Sequence, residues 1–153
     1  MQQPLTAGDL CTRNTVIAYR KTGLNEAARL MREQHVGSLV VVDETIAGRI
    51  AVGLLTDRDI VTAVVAKDME PHRLCVGEVM SEELVTARET DSVLDVLGTM
   101  RRKGVRRVPV TDAKGVLVGV ITLDDVLGVV SEQLRAVVAA IESEQQREGH
   151  KRP

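Results

Sequence analysis

Two threonine–aspartate pairs recur with the same spacing in this sequence. Thr56 precedes Asp59 by three residues in GLLTDRD, and Thr122 precedes Asp125 by three residues in GVITLDD. Each pair follows an apolar run, which predicts that the threonine ends a strand and the aspartate falls in the first turn of a helix. Two chemistries fit this spacing: a helix-capping box and a binding site for a phosphorylated ligand.

The ligand-binding alternative uses the same local geometry as the cap. N–H groups at a helix N-terminus favour a phosphate, and a threonine hydroxyl can donate to a phosphate oxygen. An aspartate carboxylate can accept hydrogen bonds from both hydroxyls of a ribose. From one copy alone the capping box is the simpler interpretation. The recurrence at matching positions favours ligand contact, and a threonine can cap through one atom while it binds through another.

The spacing recurs because the chain contains an internal repeat. A shift of 69 residues aligns Ala7–Thr12 with Val76–Ser81, and a shift of 66, after three extra residues in the first copy, aligns Gly53 with Gly119. Each copy reads in the order strand, helix, strand, strand, helix. A unit of about 60 residues buries little apolar surface alone, so we expect the copies to pack sheet to sheet with pseudo-twofold symmetry.

The apolar periodicity bounds the elements that must position these pairs. In the first copy we predict a brief strand over 15–19, a helix over 24–34, strands over 38–43 and 49–56, and a helix from residue 57. In the second copy the corresponding ranges are 84–88, 92–103, 106–112 and 116–122, with a helix from residue 123. Pro109 falls inside a predicted strand, which indicates an edge position or a bulge.

The bulk composition narrows the class of protein. The 153 residues are 44% apolar and 27% charged, the formal net charge is -2, and a single tyrosine is the only aromatic residue. No strong positive field favours nucleic acid or acidic membranes, and the apolar runs are broken before the length of a bilayer span. Without a visible secretory signal the chain is expected to be cytoplasmic. Cys11 and Cys75 are expected to be reduced thiols.

No catalytic or metal-binding pattern emerges from the sequence. The histidines, His35, His72 and His150, are scattered, and none pairs with cysteine or carboxylate at a metal-ligand spacing. There is no Ser-His-Asp order, P-loop or G-x-G-x-x-G string. We therefore expect a protein that is not an enzyme.

In each copy a predicted strand, VVVD (Val40–Asp43) or PVTD (Pro109–Asp112), is followed by the string G-h-h-T-x-x-D, where h is an apolar residue and x is any residue. This doubled order resembles a tandem cystathionine β-synthase (CBS) domain pair, also called a Bateman module. The resemblance covers about residues 5–134. It implies an α/β (α+β) fold with two β-α-β-β-α repeats, at 5–68 and 73–134, followed by a helix extension and polar tail at 135–153. It also implies a stand-alone module that regulates and does not catalyse.

The resemblance further implies two composite clefts, each joining the Thr-x-x-Asp pair of one repeat to the first strand and the entrance to the second strand of the other. One cleft would combine Thr56, Asp59, Leu84, Val85, Thr86, Val105 and Arg106. Arg58, one residue before Asp59, is a further candidate phosphate partner in this cleft. The other would combine Thr122, Asp125, Thr15, Val16, Ile17, Val36 and Gly37. Arg106 resembles a position that often holds a phosphate-binding residue, so the cleft of Asp59 is expected to be the better nucleotide site.

The ligand implied by the resemblance is AMP, ADP, ATP or a related adenosyl molecule, with Mg²⁺ as a permitted companion and no cofactor required. Ligand binding would signal through a homodimer or an unidentified regulated protein. A long C-terminal helix from residue 123 to about residue 146 carries an apolar stripe that suits a homodimer contact: Val126, Leu127, Val130, Leu134, Val137, Val138 and Ile141. The alternative is a scaffold protein with empty clefts that docks a partner enzyme through this helix.

Overall fold

A computed structural model, which describes residues 3–151, contains two three-stranded sheets of the same topology. In each sheet a short first strand runs parallel to the second, which pairs antiparallel with the third. The strands are β1 (Ile17–Ala18), β2 (Ser38–Thr45) and β3 (Gly48–Thr56) in one sheet, and β4 (Ala87–Arg88), β5 (Arg107–Thr111) and β6 (Leu117–Thr122) in the other. The predicted mixed fold with two repeats is confirmed.

Within residues 3–151 there are also six α-helices: α1 (Ala7–Leu10), α2 (Leu24–Gln34), α3 (Asp57–Ile60), α4 (Val76–Val79), α5 (Val93–Lys103) and α6 (Leu123–Lys151). The helix α2 buries Leu24, Ala27 and Met31, whose spacing of three and four residues places them on one face. The helix α5 begins after Ser92, whose hydroxyl accepts from the Asp95 amide, and it ends at a left-handed Gly104.

Three local features differ from the predicted elements. The first strands contain two residues each instead of five. The short helix α3 continues into a π-helical turn, Val61–Val65, whereas its counterpart α6 continues as one helix past residue 146 to Lys151. Pro109 lies in the middle strand of its sheet, but β4 pairs only with Val110 and Thr111, and the register shifts between those two residues. The pairing between β4 and β5 therefore does not include Pro109, which has no N–H group to donate.

Each repeat completes its core with a short helix from the other repeat. Ala7 of α1 and the nearby Cys11 are buried among the apolar side chains of the second repeat. Val76 of α4 and the nearby Met80 are buried among those of the first repeat. Burial of these side chains therefore ties the two repeats together, and neither core is complete alone.

The pseudo-twofold axis passes between Ile50 and Val116. These residues occupy equivalent positions in β3 and near the start of β6, and they form an antiparallel bridge with each other. A residue that pairs with its own counterpart must lie next to the symmetry axis. The predicted sheet-to-sheet arrangement thus places β3 and β6 side by side at the centre of the molecule.

The helix α6 is the longest element, at 29 residues. Only Val126 of its apolar stripe is buried. Within residues 3–151, no helix combines the length and the apolar character that crossing a membrane requires.

Candidate ligand-binding clefts

Both Thr-x-x-Asp pairs form capping boxes. The Thr56 amide donates to Asp59 Oδ2 at 2.9 Å, and the Asp59 amide donates to Thr56 Oγ1 at 3.1 Å. Thr122 and Asp125 repeat the arrangement at 2.9 and 3.1 Å. The capping interpretation of the sequence is therefore realised in both repeats.

The capping boxes still leave groups that can bind a ligand. In each box the threonine hydroxyl accepts from a backbone N–H, so its own hydrogen is available for donation. The aspartate uses Oδ2 for the cap, and within residues 3–151 its Oδ1 atom makes no hydrogen bond. Both side chains are half-buried and not fully enclosed. The same four residues can thus cap two helices and present acceptors and donors to a ribose.

Internal hydrogen bonds occupy most N–H groups of the first helical turn. The Asp57 amide donates to the Gly37 carbonyl at 3.0 Å, and the Arg58 amide donates to the Asp57 side chain at 2.8 Å. In the second repeat the Leu123 amide donates to the Arg106 carbonyl at 2.8 Å. Leucine replaces Asp57 there, so the following amide lacks the equivalent side-chain acceptor. The α6 terminus is consequently the more open of the two toward an anion.

One cavity, called here the Asp59 cleft, has a volume of about 140 Å³. Its lining residues come from both repeats: Leu54, Thr56, Asp59, Ser81, Glu83, Leu84, Val85, Val105, Arg107 and Pro109. The structure thus brings together Thr56, Asp59, Leu84, Val85 and Val105 of the predicted set. Three predicted residues lie outside the lining and are exposed: Arg58, Thr86 and Arg106.

The second cavity, called here the Thr122 cleft, has a volume of about 270 Å³. Its lining residues are Thr12, Asn14, Thr15, Val16, Val36, Gly37, Ser38, Val40, Arg107, Val120 and Thr122. Predicted residues Thr15, Val16, Val36, Gly37 and Thr122 are among them. The predicted Ile17 and Asp125 are not in the lining, although Asp125 is hydrogen-bonded to Thr122.

The two clefts are related residue by residue. Every lining residue of the Asp59 cleft other than Asp59 has a symmetry counterpart that lines the Thr122 cleft. Sequence reasoning missed the segment that precedes each first strand, from which Ser81 and Glu83 reach one cleft and Thr12 and Asn14 reach the other. The repeat alignment already paired these residues, and that equivalence was the signal that could have found them.

The arginines are placed differently from the sequence-based expectation. Arg107 is half-buried and lines both clefts, whereas Arg106 is exposed. Arg106 borders a cavity of about 280 Å³ beside the start of α6, together with Arg107, Thr122, Leu123 and Asp124. This side cavity shares Arg107 and Thr122 with the Thr122 cleft. Both cations therefore lie near the Thr122 cleft, and one of them also reaches the Asp59 cleft.

The first strands offer different backbone groups to the two clefts. In the first repeat the Val40 amide donates to the Val16 carbonyl at 3.3 Å. The equivalent bond in the second repeat would join Pro109 to Val85, and it cannot form because proline has no amide hydrogen. Within residues 3–151 no other backbone donor bonds to the Val85 carbonyl.

A metal site and a nucleophile each place requirements on the titratable groups of the described residues. Within residues 3–151, no group of three or more His, Cys, Asp or Glu side chains is arranged to hold a metal ion. Both cysteines are free, and burial raises the pKa of the Cys11 thiol above its ordinary value. A buried protonated thiol is a poor nucleophile, so Cys11 serves in packing.

Comparison with known proteins identifies the architecture. The family model for the CBS domain matches residues 7–66 and again residues 76–132. The chain belongs to the CBS domain family. An uncharacterised protein of Methanopyrus kandleri is 31% identical over 143 residues, which cover 94% of this chain and 69% of the relative.

Solved CBS structures share the fold. The CBS domain pair of a protein called MJ0100, solved with 5′-methylthioadenosine and S-adenosyl-L-methionine, matches with a TM-score of 0.74 and 25% identity, covering 86% of this chain and 99% of that one. The cytosolic domain of the Mg²⁺ channel MgtE, solved with ATP, matches with a TM-score of 0.68 and 29% identity, covering 81% and 48%. The tandem CBS pair is thus shown by sequence and by structure.

Proposed function

We propose that this CBS pair is a regulatory module that binds an adenine nucleotide or a related adenosyl ligand in its inter-repeat clefts. The observation that carries the proposal is the doubled Thr-x-x-Asp box, which leaves an aspartate oxygen and a threonine hydroxyl uncommitted in each repeat. The adenosyl ligands and the ATP held by the two CBS relatives support it. Mg²⁺ enters only as the counter-ion of a polyphosphate, and no catalytic step is proposed.

The clefts suit a ribose and a flat base for physical reasons. Asp59 presents a carboxylate oxygen that can accept from vicinal hydroxyls. Leu84, Val85 and Val105 line the same cavity with aliphatic surface, against which a base can lie. The cavity volumes, about 140 and 270 Å³, make the Thr122 cleft the roomier of the two.

Calorimetric titration with AMP, ATP and 5′-methylthioadenosine tests the proposal. Asp59→Asn and Asp125→Asn keep an amide oxygen for the cap but place an NH₂ donor where a ribose would need an acceptor, so each is expected to weaken binding at its cleft by about tenfold. Asp9→Asn is the matched control, because Thr6 and Asp9 form the same box on α1 at 3.0 and 3.2 Å, outside both clefts. Absence of binding by every ligand to the folded wild type would refute the proposal.

The signal is proposed to pass through a homodimer formed by α6. The exposed apolar side chains of this helix repeat at alternating intervals of three and four residues, which is the spacing of a coiled-coil seam: Leu127, Val130, Leu134, Val137 and Ile141. Each is between 45% and 63% exposed in the isolated chain. A second copy that presents the same stripe would cover it.

A second candidate function, a scaffold that docks a partner enzyme, rests on the same stripe. Light scattering of Leu134→Glu separates the two, with Ala139→Glu as a control that adds the same charge on the opposite face of α6. A homodimer predicts that Leu134→Glu gives monomers and Ala139→Glu does not. A wild type that is monomeric at all concentrations would favour the scaffold. The proposal places the module in the cytoplasm, in keeping with two free thiols.

A further inference from the structure

We propose that Arg107 is the anion-binding residue of the Thr122 cleft and that, because the same guanidinium also lines the Asp59 cleft, a phosphorylated ligand occupies only one of the two clefts at a time. The inference rests on the proposed function and specifies how the clefts divide their ligands. Nucleoside phosphates go to the Thr122 cleft. Uncharged adenosyl compounds can enter either cleft.

The position of Arg107 is the first argument. Its side chain borders the Thr122 cleft, the side cavity at the start of α6, and the Asp59 cleft. A methyl group added at Gly37 would lie 3.4 Å from Arg107 Nη2, so the end of the guanidinium approaches the wall of the Thr122 cleft. Arg107 is thus the basic side chain that the two clefts share, and its terminal group is near the larger one.

The second argument is that this cation is uncommitted. Arg107 forms no salt bridge and no side-chain hydrogen bond within the part of the chain that the structure describes, residues 3–151. Asp57 Oδ2 lies 3.2 Å from the same added methyl group, but it forms no salt bridge with the guanidinium. A half-buried guanidinium with five donors gains most from a planar or tetrahedral oxyanion.

The charges of the two linings give the third argument. Besides Arg107, the Asp59 cleft is lined by the carboxylates of Asp59 and Glu83, so an incoming phosphate meets two negative charges there. In the Thr122 cleft Asp125, hydrogen-bonded to Thr122, takes the place of Asp59, and the equivalent of Glu83 is the neutral Asn14. The Thr122 cleft therefore has one carboxylate fewer than the Asp59 cleft. Coulomb repulsion therefore directs a phosphate away from the Asp59 cleft and attraction directs it to the other.

The two clefts share the guanidinium of Arg107 because the first repeat has no equivalent arginine. The counterpart of Arg107 in the first repeat is Ser38, which lines only the Thr122 cleft and carries no charge. The molecule therefore has one such guanidinium for two clefts. When a phosphate in the Thr122 cleft holds Arg107, the Asp59 cleft keeps Asp59 and Glu83 without a compensating cation. Occupancy of one cleft by a phosphate thus lowers the affinity of the other for a second phosphate.

The test is calorimetry with AMP and adenosine, which differ only in the phosphate, on the full chain. The wild type is expected to bind one AMP per chain. Arg107→Gln is expected to weaken AMP by at least about tenfold and to change adenosine by less than about twofold, as the loss of a charge-assisted contact requires. Arg101→Gln, on the exposed face of α5, is the matched control and should change neither.

The outcomes separate this inference from the proposed function. If adenosine binds but AMP affinity survives Arg107→Gln, the inference fails while the adenosyl-binding function stands. If Arg106→Gln removes the preference for AMP and Arg107→Gln does not, the anion site belongs to Arg106 and the inference also fails. Two equal AMP sites in the wild type would exclude the sharing. If neither AMP nor adenosine binds the folded chain, the proposed function itself fails.

Discussion

The backbones of Thr12 and Val120 are joined by two hydrogen bonds, although Thr12 precedes the first strand of one repeat and Val120 lies in the last strand of the other. The Thr12 amide donates to the Val120 carbonyl at 2.9 Å, and the Val120 amide donates to the Thr12 carbonyl at 3.1 Å. Leu54 and Ser81 form the symmetric pair at 3.2 and 3.0 Å. These four bonds bring the backbone of each repeat against the edge of the other repeat's sheet, next to the clefts.

The close approach explains the glycine that begins each G-h-h-T-x-x-D string, and it predicts the effect of Gly119→Ala. A Cβ atom at Gly119 would lie within 2.9 Å of Cys11 Sγ and closer still to the Thr12 carbonyl. We expect this variant to lower the free energy of unfolding by about 1–3 kcal/mol, measured by urea denaturation. Gly128→Ala is the control, because nothing lies within 4 Å of its position in α6, and it should gain about 0.5–1 kcal/mol. Equal effects of the two substitutions on the free energy of unfolding would contradict the close approach of Gly119 to Thr12.

Removal of residues 1–13 is expected to destabilise the second repeat more than the first. The deleted segment contains Ala7 and Cys11, which are buried in the second core. Hydrogen exchange followed by mass spectrometry should show lost protection in β5 and β6, while β2 and β3 keep more of theirs. Loss confined to β2 and β3 would show that α1 packs on its own repeat.

The two thiols are expected to react at very different rates. Cys75 is partly exposed, whereas Cys11 is buried and desolvation raises the pKa of its thiol. Iodoacetamide at pH 8 should therefore alkylate Cys75 first and Cys11 only on unfolding, with a Cys75→Ser variant as the control for assignment. Because the folded state holds the Cys11 thiol protonated, its stabilising contribution is complete below the unfolded pKa of about 8.5 and is lost as the pH rises further. Rapid labelling of Cys11 in the folded chain would refute its burial.

Pro109→Val is expected to weaken ligand binding in the Asp59 cleft. Valine is the residue at the equivalent position, Val40, where the amide donates to the Val16 carbonyl. The substitution would give Val85 the same partner and remove its carbonyl from a ligand's reach. Calorimetry with 5′-methylthioadenosine on an Asp125→Asn background, in which the other cleft is expected to bind about tenfold more weakly, should show the affinity of the Asp59 cleft reduced by about tenfold. An unchanged affinity would show that the Val85 carbonyl does not contact the ligand.

Local patterns in the sequence predicted most of the helices and the longer strands, but not the length of the first strands. The helix Leu24–Gln34 has the bounds that its periodicity predicts, because its apolar face is encoded locally. Likewise α3 and α6 begin at Asp57 and Leu123, where the threonine caps predict. The fold class followed from the doubled pattern and its resemblance to a CBS pair.

Long-range placement could not be read in the same way. The crossing of α1 and α4 onto the opposite repeats depends on tertiary packing that no local pattern encodes. The choice between Arg106 and Arg107 depends on strand register, since a shift of one residue exchanges the two faces of a strand. In the structure Arg107 is half-buried and lines both clefts, whereas Arg106, one residue earlier, is exposed.

The helix α6 also has a mechanical consequence. It is capped at the Thr122 cleft and continues without interruption for 29 residues, a length of about 44 Å at 1.5 Å per residue. A rigid rod of that length acts as a lever. A tilt of about 5° at its capped end displaces the far end by about 4 Å, given the same helical rise. In the proposed homodimer, a tilt of that size would change which surfaces meet near Lys151.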